Sequence, residues 1–421
     1  IGLGYVGLPV ACIFAKAGLD VIGADVFTER VEKINAGISP IEGNEPGLNE
    51  LVREVAGSSQ MRATIDYEQL RDRDVILIDV QTPVDENHKP HYEALRASLQ
   101  SLGPVLKKGA LVIVESTISP GTMNKLALPL LEESSGLKLN EGFYLGNCPE
   151  RVMPGKLLQN LKSLSRVVGG MTPETADTMV ALYRLIVDGD LDPTDCTTAE
   201  LVKTVENAYR DVQIAFANEV ALVSEAVGGD VWKVRELVNK SPGRNMLLPG
   251  AGVGGHCIPK DPWLLADAVD GLDVPLRLIP AARAVNDAMP QHVADLLSEA
   301  LEQVGKNLRD AKILVMGIAY LEDSDDTRNS PSEALVALLK AKGAKAVVHD
   351  PYVDEYKGDL LMAAKGCDAA VLMVKHAEYL ALDIVALRAA LSQSVLVDGR
   401  GFFDVGEVRG MGFIYHGIGT A

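Results

Sequence analysis

The sequence predicts an α/β protein in which two Rossmann-like, doubly wound domains are joined by a central region built on a long helix. Short β-branched runs alternate with helical patterns through residues 1–196 and again through residues 301–421, which is typical of parallel sheets covered by helices. Between them, residues 197–227 contain neither proline nor glycine. We therefore expect three domains, over residues 1–196, 197–300 and 301–421.

A glycine-rich turn opens the first domain with the letters GLGYVG at residues 2–7. In this G-x-G-x-x-G pattern Gly2 permits a tight turn, Gly4 lets the backbone approach a pyrophosphate, and Gly7 lets the next helix pack closely. The pyrophosphate would lie at the N-terminus of the helix that we expect over residues 8–17. The pattern predicts a dinucleotide site, and a glycine turn without a ligand is the alternative.

The next apolar run indicates which dinucleotide binds. Residues 21–25 end in Asp25, at the distance expected for an acid that binds a ribose hydroxyl. An acid at this position favours NAD over NADP, whereas the nearby Arg30 is a residue type that accommodates a 2′-phosphate. Further buried strands are expected over residues 75–80 and 111–114.

The central region should begin with one long helix. The letters TTAE at residues 197–200 resemble a capping box, and a helix from there to residue 227 would be roughly 40 Å long, a length suited to a domain spine or a dimer interface. Lys203 and Asn207 lie four residues apart and share one helix face with Arg210. An ammonium beside a carboxamide could donate to an oxyanion, although a solvated polar face is the commoner meaning of such a stripe.

A glycine-rich loop carries the most distinctive side chain. The letters GAGVGGHCIPKDP at residues 250–262 place Cys257 four residues before Asp261, and the glycines leave the backbone open to a ligand. A nearby cation such as Lys203 or Lys260 would favour the thiolate. With a dinucleotide site, this thiol suggests a dehydrogenase that holds its substrate covalently between two oxidations. A buried, inert cysteine is the alternative.

A second α/β pattern follows the central region. We expect strands over residues 312–317, 346–350, 369–374 and 395–398, and a helix over residues 331–342. Elsewhere, Glu150 is either a general base or an exposed surface acid. His88 and His91 lie in a polar, turn-rich segment, which favours a solvated loop over a metal site.

Composition narrows the function class. The formal net charge of −18 argues against a nucleic-acid partner, which requires a basic surface. The apolar runs are too short to span a bilayer. The five cysteines are an odd number without C-x-x-C spacing, which favours a reducing, cytoplasmic location over a disulfide framework or a zinc site. We expect no metal and no membrane partner.

In their order along the chain, these segments resemble the UDP-glucose/GDP-mannose dehydrogenase family. The matching segments are GLGYVGLP, the Asp25 and Arg30 pair, QTPV (81–84), ESTISPGT (115–122), NCPERVMPG (147–155), ELVKTVENAYRDV (200–212), GAGVGGHCIPKDPW (250–263), GIAY (317–320) with DDTRNSPS (325–332), and DGRGFFD (398–404). Such enzymes oxidise the C6 alcohol of a nucleotide sugar to a carboxylate with two NAD. The resemblance also implies an NAD-binding domain, a central helical dimerisation region and a C-terminal sugar-nucleotide domain, in a homodimer or a higher homo-oligomer.

The resemblance implies roles for individual residues. Cys257 would trap the C6 aldehyde as a thiohemiacetal and then carry a thioester, Lys203 and Asn207 would stabilise oxyanions, and Asp261 and Glu150 would position or activate water. The residues that would hold NAD are Gly2, Gly4, Tyr5, Val6, Gly7, Asp25, Arg30, Thr82, Pro83, Ser116, Thr117 and Arg328. Those that would line the sugar-nucleotide site are Arg151, Val152, Lys203, Asn207, Arg210, Gly254, Tyr320 and Arg400.

The substrate within this family is narrowed but not fixed. The letters PERVMPG at residues 149–155 resemble the branch that acts on 2-acetamido sugars, so we expect a UDP-N-acetylhexosamine, with UDP-ManNAc first and UDP-GalNAc or UDP-GlcNAc open. The chain departs from the family pattern at Leu321, at Asn329 and at residues 241–243. The rival classes are the two-electron 3-hydroxyacid and 6-phosphogluconate dehydrogenases and a non-catalytic NAD-binding protein.

Overall fold

The computed structural model describes residues 1–41, 43 and 45–420. The chain divides into two compact units. The first unit contains Ile1–Glu206 and Trp263–Val274, and the second contains Asn207–Pro262 and Pro275–Ala421.

The first unit is built on parallel strands, as the alternating pattern predicts. Its strands are β1 (Val21–Ala24), β2 (Met61–Thr64), β3 (Val75–Ile78), β4 (Ala110–Val114), β5 (Phe143–Asn147), β6 (Arg166–Gly170) and β7 (Leu191–Asp195). β1 and β2 pair in parallel, with Val21 opposite Met61. The other strands form a sheet of order β3-β4-β5-β6-β7. Within that sheet β6 runs antiparallel to β5, so the start of β6 faces the edge at which β5 ends.

Helices cover the strands of this unit. They are α1 (Gly7–Lys16), α2 (Thr28–Asn35), α3 (Leu48–Gly57), α4 (Glu93–Leu102), α5 (Leu128–Ser135), α6 (Leu157–Ser163) and α7 (Pro173–Tyr183). β4 is buried along its whole length, as expected for an apolar strand with helices on both faces. The core residues form two clusters, one containing Leu8 and Leu51 and the other containing Leu95 and Val112.

The long helix predicted for the centre of the chain is present as α8 (Cys196–Val227), with 32 residues. At about 1.5 Å per residue it is roughly 48 Å long. The capping box predicted at residues 197–200 is wrong. Asp195 caps the helix instead, because its carboxylate accepts the N–H of Thr198 at 2.9 Å and the Thr198 hydroxyl at 2.6 Å. Glu200 accepts the N–H groups of Gly121 and Met123 at 2.6 and 2.8 Å, and so caps a different segment.

The second unit has a fully parallel sheet of order β12-β11-β10-β8-β9. Its strands are β8 (Lys312–Met316), β9 (Lys345–His349), β10 (Ala369–Leu372), β11 (Val395–Asp398) and β12 (Ile414–Gly417). The remaining helices are α9 (Val231–Val238), α10 (Asp261–Asp267), α11 (Leu278–Glu302), α12 (Pro331–Ala341), α13 (Leu360–Ala364), α14 (Ile384–Ala390) and α15 (Val405–Gly410). This strand order is that of a doubly wound sheet, which confirms the predicted fold class. Across the described ranges, no helix is both long and apolar enough to cross a membrane.

Candidate active site

Glycine has a different structural role at each of the three glycine positions of the fingerprint turn. Gly2 has a φ of +87°, which favours glycine. A Cβ on Gly7 would lie 2.0 Å from the Gly2 carbonyl oxygen, so only glycine lets α1 begin this close to the turn. A Cβ on Gly4 would meet nothing within 4 Å. Packing therefore does not require glycine at position 4. The open space beside Gly4, at the N-terminus of α1, fits a pyrophosphate.

Asp25 anchors the same turn from the end of β1. Its Oδ2 accepts the N–H of Leu3 at 2.8 Å and pairs with Arg30 Nη1 at 2.9 Å. Its Oδ1 accepts the N–H of Phe27 at 3.0 Å. The Arg30 guanidinium also lies over the Phe27 ring, 4.9 Å from its centroid. Asp25 therefore fixes the turn and also engages Arg30. An arginine without such a partner would suit a 2′-phosphate.

The loops after β3 and β4 are hydrogen-bonded to each other. The buried Thr82 hydroxyl donates to the Thr117 carbonyl at 2.6 Å, and the Ser116 hydroxyl donates to the Val80 carbonyl at 2.6 Å. Pro83 is exposed beside Thr82. Because β3 and β4 are adjacent parallel strands, these loops lie at one edge of the sheet, where α/β proteins bind ligands.

Tyr5 and Val6 are half-buried in the fingerprint turn. The Tyr5 hydroxyl donates to the Glu45 carboxylate. That carboxylate also accepts the N–H groups of Gly155 and Leu157, at 2.8 and 3.2 Å. Glu45 thus ties the fingerprint turn to the segment that leads into α6.

Glu150 comes after β5 and is buried, so its interpretation as an exposed surface acid is wrong. One carboxylate oxygen, Oε1, accepts the N–H of Arg151 at 2.7 Å. The other, Oε2, lies 2.6 Å from Nη1 of Arg166. Burial raises the pKa of Glu150, and the positive charge of Arg166 acts in the opposite direction. A buried carboxyl with a raised pKa is a frequent feature of a general acid or base.

Arg151 and Val152 extend from Glu150 along the same segment. The Arg151 guanidinium pairs with Glu206 of α8, through Nε at 3.0 Å, and donates to the Ser165 carbonyl at 2.8 Å. Val152 packs against the core cluster of this unit that contains Cys148. The structure therefore gives both residues partners in the protein.

Two opposite faces of α8 have different characters. At 100° per residue, Lys203, Asn207 and Arg210 fall on one side of the helix. Lys203 and Asn207 are half-buried and Arg210 is exposed. On the other side lies an exposed apolar stripe, formed by Leu201, Val205, Tyr209, Phe216, Val223 and Val227.

The thiol loop belongs to the second unit and is held by the loop after β8. Cys257 is exposed, whereas the other four cysteines are buried. A Cβ on Gly254 would lie 2.6 Å from the Cβ of Tyr320. Gly255 donates its N–H to the Arg328 carbonyl at 2.9 Å, and Asn329 donates to the Gly255 carbonyl at 3.1 Å. The glycines therefore let the backbone of the thiol loop pack closely against the loop after β8, which fixes the position of the Cys257 backbone.

Asp261 connects the thiol loop to α8. Its N–H donates to the Cys257 carbonyl at 2.8 Å, so the thiol and the acid share one turn. Asp261 is fully buried, and its Oδ2 accepts from the Asn207 carboxamide at 2.6 Å. Lys260 Nζ lies 3.5 Å from the other oxygen. The second unit thus brings Cys257, Asp261, Asn207 and Lys260 together, and Asp261 fixes which way the Asn207 carboxamide points.

Lys260 and Arg328 place positive charge near His256 of the thiol loop. Burial lowers the pKa of His256 to about 4, and the positive charges of Lys260 and Arg328 lower it further. Arg328 forms a forked pair with Asp326, at 2.9 and 2.5 Å. Arg328 belongs to the second unit, whereas the fingerprint that it was predicted to assist belongs to the first.

Arg400 follows β11 and is half-buried. Its Nε donates to the Met373 carbonyl at 2.7 Å. A Cβ on Gly250 would lie 2.5 Å from Arg400 Nη1, so glycine leaves the room that the guanidinium occupies. Burial lowers the pKa of Arg400. A half-buried guanidinium of this kind gains from an anionic ligand such as a phosphate.

The histidines considered as metal ligands have other contacts. The His88 ring stacks on Trp263 with centroids 3.9 Å apart, and His91 Nε2 lies 3.3 Å from Asp85. Over residues 1–41, 43 and 45–420, no group of three or more histidine, cysteine or acidic side chains is placed to hold a metal ion.

The sequence patterns did not identify Arg166, which pairs with Glu150, or Glu115 and Tyr183, which lie against Arg166. The available signal was an arginine at the first position of an otherwise apolar strand, RVVGG at residues 166–170. A buried arginine requires buried acids, but the sequence does not say which acids they are.

Comparison with known proteins extends these local findings to the whole chain. Residues 1–187 match the NAD binding domain of the UDP-glucose/GDP-mannose dehydrogenase family, residues 197–288 its central domain, and residues 314–405 its UDP binding domain.

Individual relatives agree with the family models. The chain is 39% identical to a UDP-N-acetyl-D-mannosamine dehydrogenase of Pyrococcus horikoshii, over 100% of this chain and 98% of that one. A solved structure of the UDP-D-ManNAc dehydrogenase from P. horikoshii matches with a TM-score of 0.93, covering 99% and 98% of the two chains at 39% identity. The crystal structure of an NDP-N-acetyl-D-galactosaminuronic acid dehydrogenase from Methanosarcina mazei matches with a TM-score of 0.90 at 38% identity, covering 100% and 94%. The chain therefore belongs to the UDP-glucose/GDP-mannose dehydrogenase family of NAD-dependent nucleotide-sugar dehydrogenases.

Proposed function

We propose that this protein oxidises the C6 hydroxyl of a UDP-N-acetylhexosamine, with UDP-ManNAc favoured, to the uronic acid in two steps. The observation that carries the proposal is the cluster in the second unit, where an exposed Cys257 shares a turn with Asp261 and Asp261 binds Asn207. A thiol, a carboxylate and a carboxamide in one cluster suit covalent capture of an aldehyde.

Cys257 is the nucleophile in this proposal. When bound, NAD accepts one hydride from C6 in each of the two oxidations. After the first oxidation, the Cys257 sulfur forms a bond to the aldehyde carbon and gives a thiohemiacetal. Loss of a second hydride leaves a thioester. Water then breaks the C–S bond, so that the uronic acid leaves and the Cys257 thiol is restored.

The polar residues stabilise charge and handle protons. Lys203 and Asn207 stabilise the oxygen that becomes negative in each addition, and Lys203 takes the proton of the C6 hydroxyl. Asp261 supports this role because its hydrogen bond orients the Asn207 amide towards donation. Glu150 positions the hydrolytic water, a role supported by its burial and raised pKa.

The fingerprint turn and its neighbours hold NAD. The open space beside Gly4 receives the pyrophosphate, and Asp25 presents an acid to the ribose. Tyr5, Thr82 and Thr117 complete the pocket in this proposal. The pairing of Arg30 with Asp25 supports NAD over NADP, because the guanidinium already has an anionic partner.

The nucleotide sugar is held through anionic and amide groups. The half-buried guanidinium of Arg400 supports a diphosphate ligand, and Arg151, Arg210 and Tyr320 contribute further contacts. The preference for a 2-acetamido sugar is supported by the segment at residues 149–155 and by the names of the two relatives above. The kcat/KM values for UDP-ManNAc, UDP-GalNAc and UDP-GlcNAc decide among the three sugars.

We also propose a homodimer formed through the apolar stripe of α8. Tyr209, Phe216 and Val223 are 63%, 58% and 60% exposed, and they fall on one helix face together with three further apolar residues. Such a continuous apolar face is typical of an interface. In this proposal residues 197–300 form the dimerisation domain, between an NAD-binding domain over 1–196 and a sugar-nucleotide domain over 301–421. Sedimentation velocity would test it, because a monomer at micromolar concentration would contradict it.

The reaction is tested by counting NADH formed per nucleotide sugar consumed, with UDP-ManNAc, UDP-GalNAc, UDP-GlcNAc and UDP-glucose. We expect two NADH per molecule with UDP-ManNAc and the highest kcat/KM for that sugar. Cys257→Ser should abolish formation of the acid and leave nucleotide-sugar binding nearly unchanged, whereas Cys367→Ser, at a buried cysteine of the second unit, should retain the stoichiometry. One NADH per sugar, or full activity of Cys257→Ser, would exclude the covalent route.

A further inference from the structure

The interior next to Glu150 contains an ion cluster that the mechanism above does not use. Arg166 begins β6 and is 1% exposed. β6 runs antiparallel to β5 with Gly169 opposite Asn147, so the first residue of β6 lies beyond the end of β5, where Glu150 follows. Arg166 Nη1 lies 2.6 Å from Glu150 Oε2 and 3.5 Å from Glu115 Oε1. Its Nη2 donates to the Leu161 carbonyl at 3.2 Å.

The guanidinium of Arg166 is itself held in place. Glu115 is buried, and its Oε1 accepts the Tyr183 hydroxyl at 2.6 Å. The Tyr183 ring lies under the guanidinium, with its centroid 5.0 Å from the guanidinium carbon. The Glu115 carboxylate, the Tyr183 ring and the Leu161 carbonyl therefore restrict the guanidinium on three sides. They fix the orientation in which it contacts Glu150.

The contact with Glu150 leaves one oxygen available for a further donor. Glu150 Oε1 is committed to the Arg151 N–H. Oε2 is paired with Arg166 by charge, but this pair lacks the alignment of a hydrogen bond. Oε2 therefore retains lone-pair capacity for a further donor, and the positive charge of Arg166 opposes the effect of burial, which raises the pKa of Glu150.

We propose that Arg166 is a positioning residue for the reaction, which orients the Glu150 carboxyl for thioester hydrolysis and places a positive charge beside it. The inference rests on the proposed role of Glu150. It assigns to Arg166 no contact with substrate or cofactor, and it places the effect of Arg166 in the last step rather than in either oxidation.

The charge of Glu150 depends on several neighbours. Burial raises the pKa of Glu150, Arg166 lowers it, Glu115 raises it, and the Arg151 N–H and Lys203 lower it. The other titratable groups that face this cluster are Asp79, Cys148 and Tyr183. Removal of the Arg166 charge should therefore raise the pKa of Glu150 further and move the acidic limb of the kcat profile to higher pH.

The test separates hydrolysis from oxidation. In Arg166→Met, stopped-flow absorbance should show a burst of two NADH per chain followed by a steady state about 10- to 100-fold slower than that of the unaltered enzyme. Intact mass should show a uronyl adduct on Cys257. Arg166→Lys keeps the charge and should recover part of kcat and of the pH profile. Arg184→Met removes an exposed arginine of α7's C-terminal end and should change neither.

The double variant decides whether Arg166 acts through Glu150. Arg166→Met combined with Glu150→Gln should be no slower than Glu150→Gln alone, because the two residues act on one step. Additive losses, or slower NADH formation without a burst, would overturn the inference. If Arg166→Met does not fold, the same readouts on Arg166→Lys decide.

Failure of the inference can be told from failure of the proposed function. An adduct in Glu150→Gln but none in either Arg166 variant contradicts the role of Arg166 alone. No adduct in Glu150→Gln, with two NADH per sugar in the unaltered enzyme, contradicts the role of Glu150 and the inference together.

Discussion

The two α/β units share one turn design and use it for different purposes. In each unit a glycine with positive φ begins the turn, Gly2 at +87° in the first and Gly317 at +90° in the second. In each, the N–H of the next residue donates to a buried acid at the end of a neighbouring strand. That acid is Asp25 in the first unit and Asp350 in the second.

The units differ in the chain immediately after this glycine. In the first, Gly4 leaves open space and α1 begins three residues later, at Gly7. In the second, Ala319 stands at the equivalent position and α12 begins only at Pro331. The intervening loop instead carries residues that hold the thiol loop.

The two acids also differ in their remaining partners. Asp350 is fully buried and accepts four backbone N–H groups at 2.7–3.1 Å as well as His376 Nε2 at 3.1 Å. An acid after a strand therefore indicates a dinucleotide site only where the adjacent turn keeps space for a ligand. In the second unit the acid is a structural residue.

The largest expected effect is the loss of stability when Asp350 is substituted. Asp350→Ala would leave four backbone N–H groups, two of them buried, without an acceptor, so we expect it to destabilise the second unit by roughly 3–5 kcal/mol in urea unfolding. Asp325→Ala, at an exposed acid of the same unit, should change stability by less than about 0.5 kcal/mol. A similar small change for Asp350→Ala would mean that its N–H donors find other acceptors, and the contrast with Asp25 would be lost.

The next effect distinguishes Gly4 from Gly7. Gly4→Ala should raise the KM for NAD about 10- to 100-fold without changing Tm, because its Cβ enters open space that the cofactor requires. Gly7→Ala should lower Tm, because its Cβ would lie 2.0 Å from the Gly2 carbonyl oxygen. Ala319→Gly should leave the KM for NAD unchanged. An unchanged KM in Gly4→Ala would remove the pyrophosphate from this turn.

The smallest effect is a pH dependence of opposite sign in the two units. The pKa of Asp350 is lowered in the folded protein: burial opposes this, but His376 and the backbone N–H groups outweigh it. Its stabilisation is therefore present above pH about 4 and lost as pH falls further.

Glu200 in the first unit shows the reverse, since burial raises its pKa to about 7 against two backbone N–H groups. Its stabilisation is present below the unfolded pKa of about 4.5 and is lost as pH rises through 7, by about 1 kcal/mol between pH 6 and 8. Glu200→Gln should abolish that slope in urea unfolding. A slope that persists in this variant would assign it to another group.

Sequence patterns predicted β1, β3, β4, β8, β9, β10 and β11 and the long helix α8, because each depends on neighbours within a few residues, but they did not predict β2, β5, β6, β7 or β12. They failed where a side chain has a distant partner. Glu200 resembled a capping residue for its own helix, but its donors lie 77 and 79 residues away. Arg166 was not identified because its contact with Glu150 depends on β6 running opposite to β5, and strand direction is a property of the whole sheet.

The uneven burial of the cysteines has a chemical consequence. Burial raises the pKa of Cys12, Cys148 and Cys196 to about 12 and also raises that of Cys367, so at neutral pH these thiols stay protonated and unreactive. Cys257 is the exposed cysteine. Peroxide or an alkylating agent should therefore modify one residue per chain, and its loss would remove activity without unfolding the protein. Oxidation of the sulfur that we assign to catalysis would thus lower the rate of product formation as exposure to oxidant increases.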